Sequence, residues 1–306
     1  MPPGAIPARA QSSHVTGVCL VIAAALIWSS GGLIVRLLHG VDSWTIVFWR
    51  SFAAFGFLAI FGLAKDGSGY VWSFLRMGWA TFAVALCYLV ASVSLVVALK
   101  LTSVADVLIL MSCSPLLAAL LGRIVLGERL GGLGWLALAG SIAGAAIMVS
   151  DSYAHGSVAG DLVAMGIAVA QAVAIVLFRR HREVSLLPGV TLAMLLAAGL
   201  AAPLASFAAL TARDAGLIGF FGAGQLGLGL ALFASGARLI PAAQTAMFAV
   251  LEPVLGPVWV WLALAEQPSP AGFLGGATVI GALVLFTAST MRADLGQASN
   301  SVGKPA

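Results

Sequence analysis

The chain has 306 residues, 61% of them hydrophobic and 8% charged, with a formal net charge of +4. A soluble domain carries about a quarter charged residues, so this chain cannot cover a water-facing surface, and a polytopic membrane protein is the class that fits. The net charge is too small to point to nucleic acid, and Cys19, Cys87 and Cys113 all sit in apolar runs, as small core residues and not as a disulfide framework.

A bilayer-spanning helix needs about 20 mostly apolar residues, and ten segments qualify. A tail over residues 1–14, expected without structure, precedes the first span near 17–38, which has Trp28 at its middle. That run is too long for a cleavable signal and ends in Arg36, with no small-residue cleavage site after it. The second span, near 44–64, carries "FWRSFAAF", which places Arg50 about two turns below the outer end. Such a guanidinium either snorkels outward or closes a cavity by binding carbonyls or Asp106. The third span, near 76–98, brings Cys87 and Tyr88 to mid-depth. The fourth, near 102–126, has Ser112, Ser114 and Pro115 at its middle and ends in "LGERLGG". There a glycine suits the helix C-cap, and Glu128 with Arg129 stands at the turn as a candidate gate contact, or as a solvated surface pair. The fifth span (near 132–150) and the tenth (near 270–290) carry Gly140-x3-Gly144 and Gly272-x3-Gly276, a pattern of close helix packing. The sixth, near 160–178, has Gln171 at its centre, and the seventh, near 188–210, has little that is polar. The eighth, near 215–236, is glycine-rich around Gln225 and reads as close helix contact and flexibility. The ninth, near 241–264, contains "FAVLEPVLGPVWVWLALAE", with Phe248, Glu252 and Pro253. A second unstructured tail is expected over 292–306.

Sliding the sequence by 138 residues sets Lys100 on Arg238, Pro115 on Pro253 and Glu128 on Glu266, and a small slip sets Arg36 on Arg179. The chain therefore reads as two five-span halves, residues 15–150 and 151–291, and because five is odd the second half is inverted. Inverted repeats place a substrate site near the midplane and support alternating access. If both termini are cytoplasmic, eleven lysines and arginines lie on the cytoplasmic side and three, Arg36, Lys100 and Arg213, on the other. That bias favours this orientation.

Mid-span polar groups are disfavoured in lipid and should point inward. Trp28, Tyr88, Ser112, Ser114, Gln171, Gln225, Phe248 and Glu252 are on these grounds the candidate substrate-binding residues, in a six-helix cavity of spans 1, 3, 4, 6, 8 and 9 with spans 5 and 10 at its side. Trp28 and Tyr88 are either packing or a stacking platform. Pro253 removes a backbone donor and bends its span, which is tolerated at membrane depth only where the backbone is buried or lines a cavity. Glu252 beside it either accepts hydrogen bonds from a neighbouring helix and holds the kink, or faces the cavity to carry a proton or meet a cationic group. Arg50, Pro115, Glu128, Arg129 and Pro253 are read as gate or structural residues. No arginine sits at mid-depth, so a strongly anionic substrate would find no charge partner there. The four histidines lie in tails or loops, and neither a metal nor a cofactor is expected.

"LGERL" after a proline-bearing span, its echo "LEPV…LAEQP", and "FWRSFAAF" together resemble the EamA-type members of the drug/metabolite transporter superfamily. The resemblance covers about residues 17–290. It implies an all-α membrane protein, ten transmembrane helices in two inverted five-helix repeats around a central cavity, in a bacterial inner membrane. It also implies export of small metabolites. Glu252 and Pro253 match the family's mid-span pair, and Glu128 with Arg129 its helix-end motif; Gln267 stands where a second arginine would complete the symmetry. Size and aromatic content are most similar to the YddG-type exporters of aromatic and other amino acids. The expected function is a gradient-driven exporter of amphipathic metabolites, amino acids with large neutral and aromatic ones preferred, or else a multidrug exporter. Its expected partners are that small molecule and the lipid bilayer, with a monomer as the default state. An intramembrane enzyme would need a carboxylate pair, a serine–lysine or serine–histidine set, or a zinc motif, and a channel would need a filter or a charged ring.

Overall fold

The computed structural model describes residues 8–38, 40–128, 130–155, 157–181, 186–207 and 210–302, and among them every regular element is helical. In hydrocarbon each backbone N–H and C=O must find a partner inside the protein, which a helix supplies from its own chain. The helices α1 (Ser13–Leu37), α2 (Ser43–Asp66), α3 (Trp79–Leu101), α4 (Val104–Leu126), α5 (Gly132–Tyr153), α6 (Val158–Arg180), α7 (Leu186–Leu204) and α8 (Ala212–Gly236) are each long and apolar enough to cross a bilayer. α9 follows in two pieces, Ala242–Ala249 and Leu251–Leu264, the second a shorter apolar helix. α10 (Pro270–Thr290) is again long enough to cross. Ile60, Ile124, Leu262 and Phe273 are 68–70% exposed, a surface that only lipid would cover at low cost.

The helices close a ring. α1 packs on α8 and α9, α8 on α2, α2 on α7, α7 on α3, α3 on α6, α6 on α4, and α4 on α9. The ring thus has eight members and not six: α2, which carries Arg50, and α7 complete the wall. α5 and α10 pack tightly on each other outside it. A Cβ on Gly144 would lie 2.6 Å from the Gly275 carbonyl oxygen, and one on Gly275 would lie 2.7 Å from that of Gly144, so only bare glycine permits this approach. Gly275, not Gly272, is thus the α10 partner; Gly272 faces the Ser269 hydroxyl.

The repeat is written into the helix breaks. α4 divides into Val104–Met111 and Ser114–Leu126, and α9 divides at the positions 138 residues on. Each ends on a left-handed residue, Gly127 at φ 70 and Ala265 at φ 55, again related by the same offset. The tails expected without structure differ in part: the first helix starts at Ala8, and the last runs on to Val302. Neither 8–14 nor 291–302 contains a proline, and each continues a helix already nucleated, so propagation there is cheap.

The face holding the ends of α4 and α6 with residues 128 and 179 is the terminal face, where α1 begins and α10 ends; the other is the far face.

Candidate functional site

The proline-bearing segments come first, because they set the depth of the site. In α9 the helix breaks at Val250, and Glu252 and Pro253 occupy the first turn of the next piece. A proline costs little there, since first-turn N–H groups have no intrahelical acceptor. Pro115 has the matching place in α4, just after the break at Ser112 and Cys113. Glu252 is half-buried, and no hydrogen bond or ion pair reaches it from the described residues. It therefore does not hold the kink by bonding a neighbouring helix; the break is a backbone feature shared by both halves. Ser112 bonds back to the Ile109 carbonyl at 2.7 Å, and Ser114 is buried.

The other candidates gather in part. The Gln225 amide donates to the Trp28 carbonyl at 3.0 Å, which joins α8 to α1. The Trp28 ring lies 5.1 Å from that of Phe233, tilted by 40°. Tyr88 packs in a separate cluster of α2, α3, α7 and α8, with Phe55 and Met194. Trp28 and Tyr88 thus stand on different partners and do not build one stacking platform in this conformation. Gln171 and Phe248 are half-buried. Trp259, which sequence reasoning passed over, donates from its indole Nε1 to the buried Ser29 Oγ at 2.9 Å and pins α9 to α1.

Arg50 follows neither expected course. It is 2% exposed, so it does not snorkel, and its partner is not Asp106, which instead accepts from Ser103 at 2.6 Å. One Arg50 Nη donates to Ser92 Oγ of α3 at 2.7 Å, and the guanidinium carbon lies 4.3 Å from the centre of the Phe221 ring of α8. Phe221 belongs to a π-helical stretch, Phe220–Leu228. A Cβ on Gly222 there would lie 2.2 Å from the Arg50 carbonyl oxygen, so the close contact of α8 with α2 requires that glycine.

The faces differ. On the far face the Arg36 guanidinium grips Glu266 through Nε at 2.8 Å and Nη2 at 3.0 Å, and also donates to the carbonyls of Leu99 and Thr102 at 2.9 Å each. Lys100 donates to the Leu38 carbonyl at 2.9 Å, Thr102 to Asp161 at 2.7 Å, and Ser269 to Asp151. The space beside Glu266, Pro257 and Val260 is about 10 Å³, room for no more than one water. On the terminal face Arg179 meets Glu128 at 2.9 Å, both more exposed than the far pair, beside a recess of about 380 Å³ lined by Ala119, Gly131, Phe286 and Thr290. His14 Nε2 lies 2.9 Å from Gln244 Oε1 on the same face. Glu128 thus pairs across helices with Arg179; Arg129 lies outside the described residues.

The sequence matches the EamA-like transporter family twice, over residues 15–150 and 158–288, one match to each half of the fold. The chain belongs to the EamA-like transporter family. A solved structure described only as "Crystal structure of protein" covers 90% of this EamA-like chain and 97% of its own, at 23% identity and a TM-score of 0.62, a likeness of fold. No similar protein is found among the curated ones. As an EamA-like transporter the chain is a multi-pass membrane protein that handles a small molecule, and nothing in the family points to enzymatic catalysis.

Proposed function

We propose that this transporter exports small amphipathic metabolites, amino acids above all, with aromatic and large neutral ones preferred. It works by alternating access between its two halves. The observation that carries the mechanism is the pair of repeat-related ion pairs. Arg36–Glu266 joins α1 to α9 on the far face, and Arg179–Glu128 joins α6 to α4 on the terminal face. Under the repeat, α1 corresponds to α6 and α9 to α4, so the same contact is made once on each side of the membrane. A contact that exists twice in inverted copies is suited to being broken on one side while kept on the other.

The substrate class is supported by the residues at mid-depth. Trp28, Tyr88 and Phe248 offer aromatic surface, Gln171 and Gln225 offer amide groups, and Glu252 offers a carboxylate that no cation among the described residues holds. Mostly apolar walls with a few placed polar groups suit an amphipathic ligand. The same unpaired Glu252 favours a second reading, export of lipophilic cations. The test is uptake by the purified protein in liposomes, offered tryptophan, phenylalanine, methionine, glucose 6-phosphate and ethidium. Saturable flux of the three amino acids, without sugar phosphate, is the expected result. Ethidium flux without tryptophan flux would move the protein to the drug-exporter class.

A further inference from the structure

The interior holds a cation that no carboxylate among the described residues neutralises. Arg50 lies seven residues into α2, about 10 Å below the far end of that helix. Its surroundings come from four helices. Ser92 of α3 takes one terminal N–H, and Ser92 in turn points its hydroxyl at the Met194 sulfur of α7, 3.7 Å away. Phe221 of α8 covers the guanidinium face. Gly31 of α1 lies close to that ring: a Cβ there would meet the Gln225 amide at 2.9 Å and the Phe221 ring at 3.3 Å. Among the described residues no carboxylate reaches Arg50; their ion pairs are Arg36–Glu266 and Arg179–Glu128.

Three unmet hydrogen bonds fall on α2 and α8, the two helices that bring Arg50 and Phe221 together. Of the buried side-chain atoms without a partner among the described residues, three are Arg50 Nε, the adjacent Ser51 Oγ and Gln225 Oε1. A guanidinium presents its Nε–H and the neighbouring terminal N–H as a parallel fork, the shape that takes both oxygens of a carboxylate. Here Nε is vacant while the other terminal nitrogen is occupied by Ser92. An unpaired buried charge is expensive, and substrate paths are among the functional sites such a group marks in a membrane protein. One turn along α8 from Phe221, the vacant Gln225 oxygen is an acceptor of the kind an ammonium needs. The α8 wall here is the π-helical stretch, a geometry frequent at functional sites.

We infer that Arg50 is the carboxylate-binding residue of the transport path, holding the acid group of the substrate on its Nε edge while Phe221 and Gln225 receive the rest of the headgroup. The fork is covered in this conformation and is uncovered as the halves move. This deepens the amino-acid reading and rests on it for the ammonium, but the carboxylate contact stands without it. It also revises the expectation that an acidic group would find no charge partner inside the bundle: the partner lies a third of the way in, not at the centre.

The experiment compares four indole compounds on the full chain in liposomes: tryptophan, tryptophanol, tryptamine and indole-3-acetate. Transport by the wild type is expected to favour tryptophan and indole-3-acetate over the two carboxylate-free compounds by at least tenfold in kcat/KM. Arg50→Gln is expected to erase the tryptophan-to-tryptophanol ratio, and Arg50→Lys to keep part of it. A ratio measured within one variant does not depend on how much of that variant folds. If Arg50→Gln cannot be purified, the wild-type ratio and Arg50→Lys decide. Equal handling of tryptophan and tryptophanol by the wild type overturns the assignment and leaves amino-acid export intact, as does a ratio that survives Arg50→Gln. Flux of indole-3-acetate without tryptophan supports the assignment and removes the amino-acid reading. Flux of tryptamine alone overturns both.

Discussion

Ala265 is the one described residue other than glycine with a positive φ, 55°, and its repeat partner Gly127 reaches 70° without a side chain. Left-handed backbone costs an L-residue about 1–2 kcal/mol. Ala265 therefore stores strain beside Glu266, at the end of α9 that holds the far ion pair. Ala265→Gly is expected to relieve it and stabilise the protein by about 1 kcal/mol, less the entropy glycine loses on folding. A thermal-unfolding midpoint raised in detergent would check this, and a lowered one would show that the chain is not strained there. At this scale the sequence revealed chemistry more readily than partners. Glu252 and Arg50 stood out because charge in an apolar run is rare. Ser92, which takes the Arg50 N–H, did not, because a serine in an apolar run is ordinary. The contact of Arg50 with Phe221 joins residues on different spans, and no local pattern encodes it.

The helices and their breaks were more legible than the contacts between them. Pro115 and Pro253 at one offset located the breaks in α4 and α9, since proline acts on its own backbone. The π-helical stretch of α8 was not legible, because it fits α8 to the Arg50 carbonyl and to Phe57, which lie far off in the chain. The ion pairs were latent in the repeat: Arg36 aligns with Arg179 and Glu128 with Glu266, yet the pairing of Arg36 with Glu266 spans 230 residues. The two pairs are unequal. Arg179–Glu128, with both side chains 42% exposed and one hydrogen bond between them, is worth about 1 kcal/mol or less. Arg36 makes two bonds to Glu266 and two to backbone carbonyls, at 24% exposure, and charge-assisted bidentate bonds are the stronger kind. The far face is thus the better latched. Glu266→Gln is expected to weaken that latch by about 1 kcal/mol, which corresponds to roughly a fivefold rise in the far-open fraction. A cysteine at Val260, 1% exposed beside the far pair, reports it through its labelling rate. Glu128→Gln should leave that rate unchanged or lower it. A rate indifferent to Glu266→Gln would mean that the far contact is not a latch.

At the scale of the whole molecule, the tighter far ion pair and the more exposed terminal-face pair give the structure a direction, and the charge pattern says which way that direction points. Eleven lysines and arginines belong to the terminal side of the ten-span reading and three to the far side, with Arg50 inside. Lysine and arginine in short loops are retained on the cytoplasmic side during insertion. The terminal face should therefore be cytoplasmic, and the more exposed Glu128–Arg179 contact should face the compartment from which an exporter loads. Two positions test this in a chain whose Cys19, Cys87 and Cys113 have been replaced. Gly131 lies on the terminal-face turn after α4, where an added Cβ meets nothing within 4 Å. Tyr153, 81% exposed, lies at the far end of α5. In intact cells a membrane-impermeant maleimide is expected to label Tyr153→Cys and to reach Gly131→Cys only after permeabilisation. The reverse pattern would turn the molecule over. The more exposed Glu128–Arg179 contact would then face outward, and the same tighter far latch would describe a transporter poised for uptake and not for export.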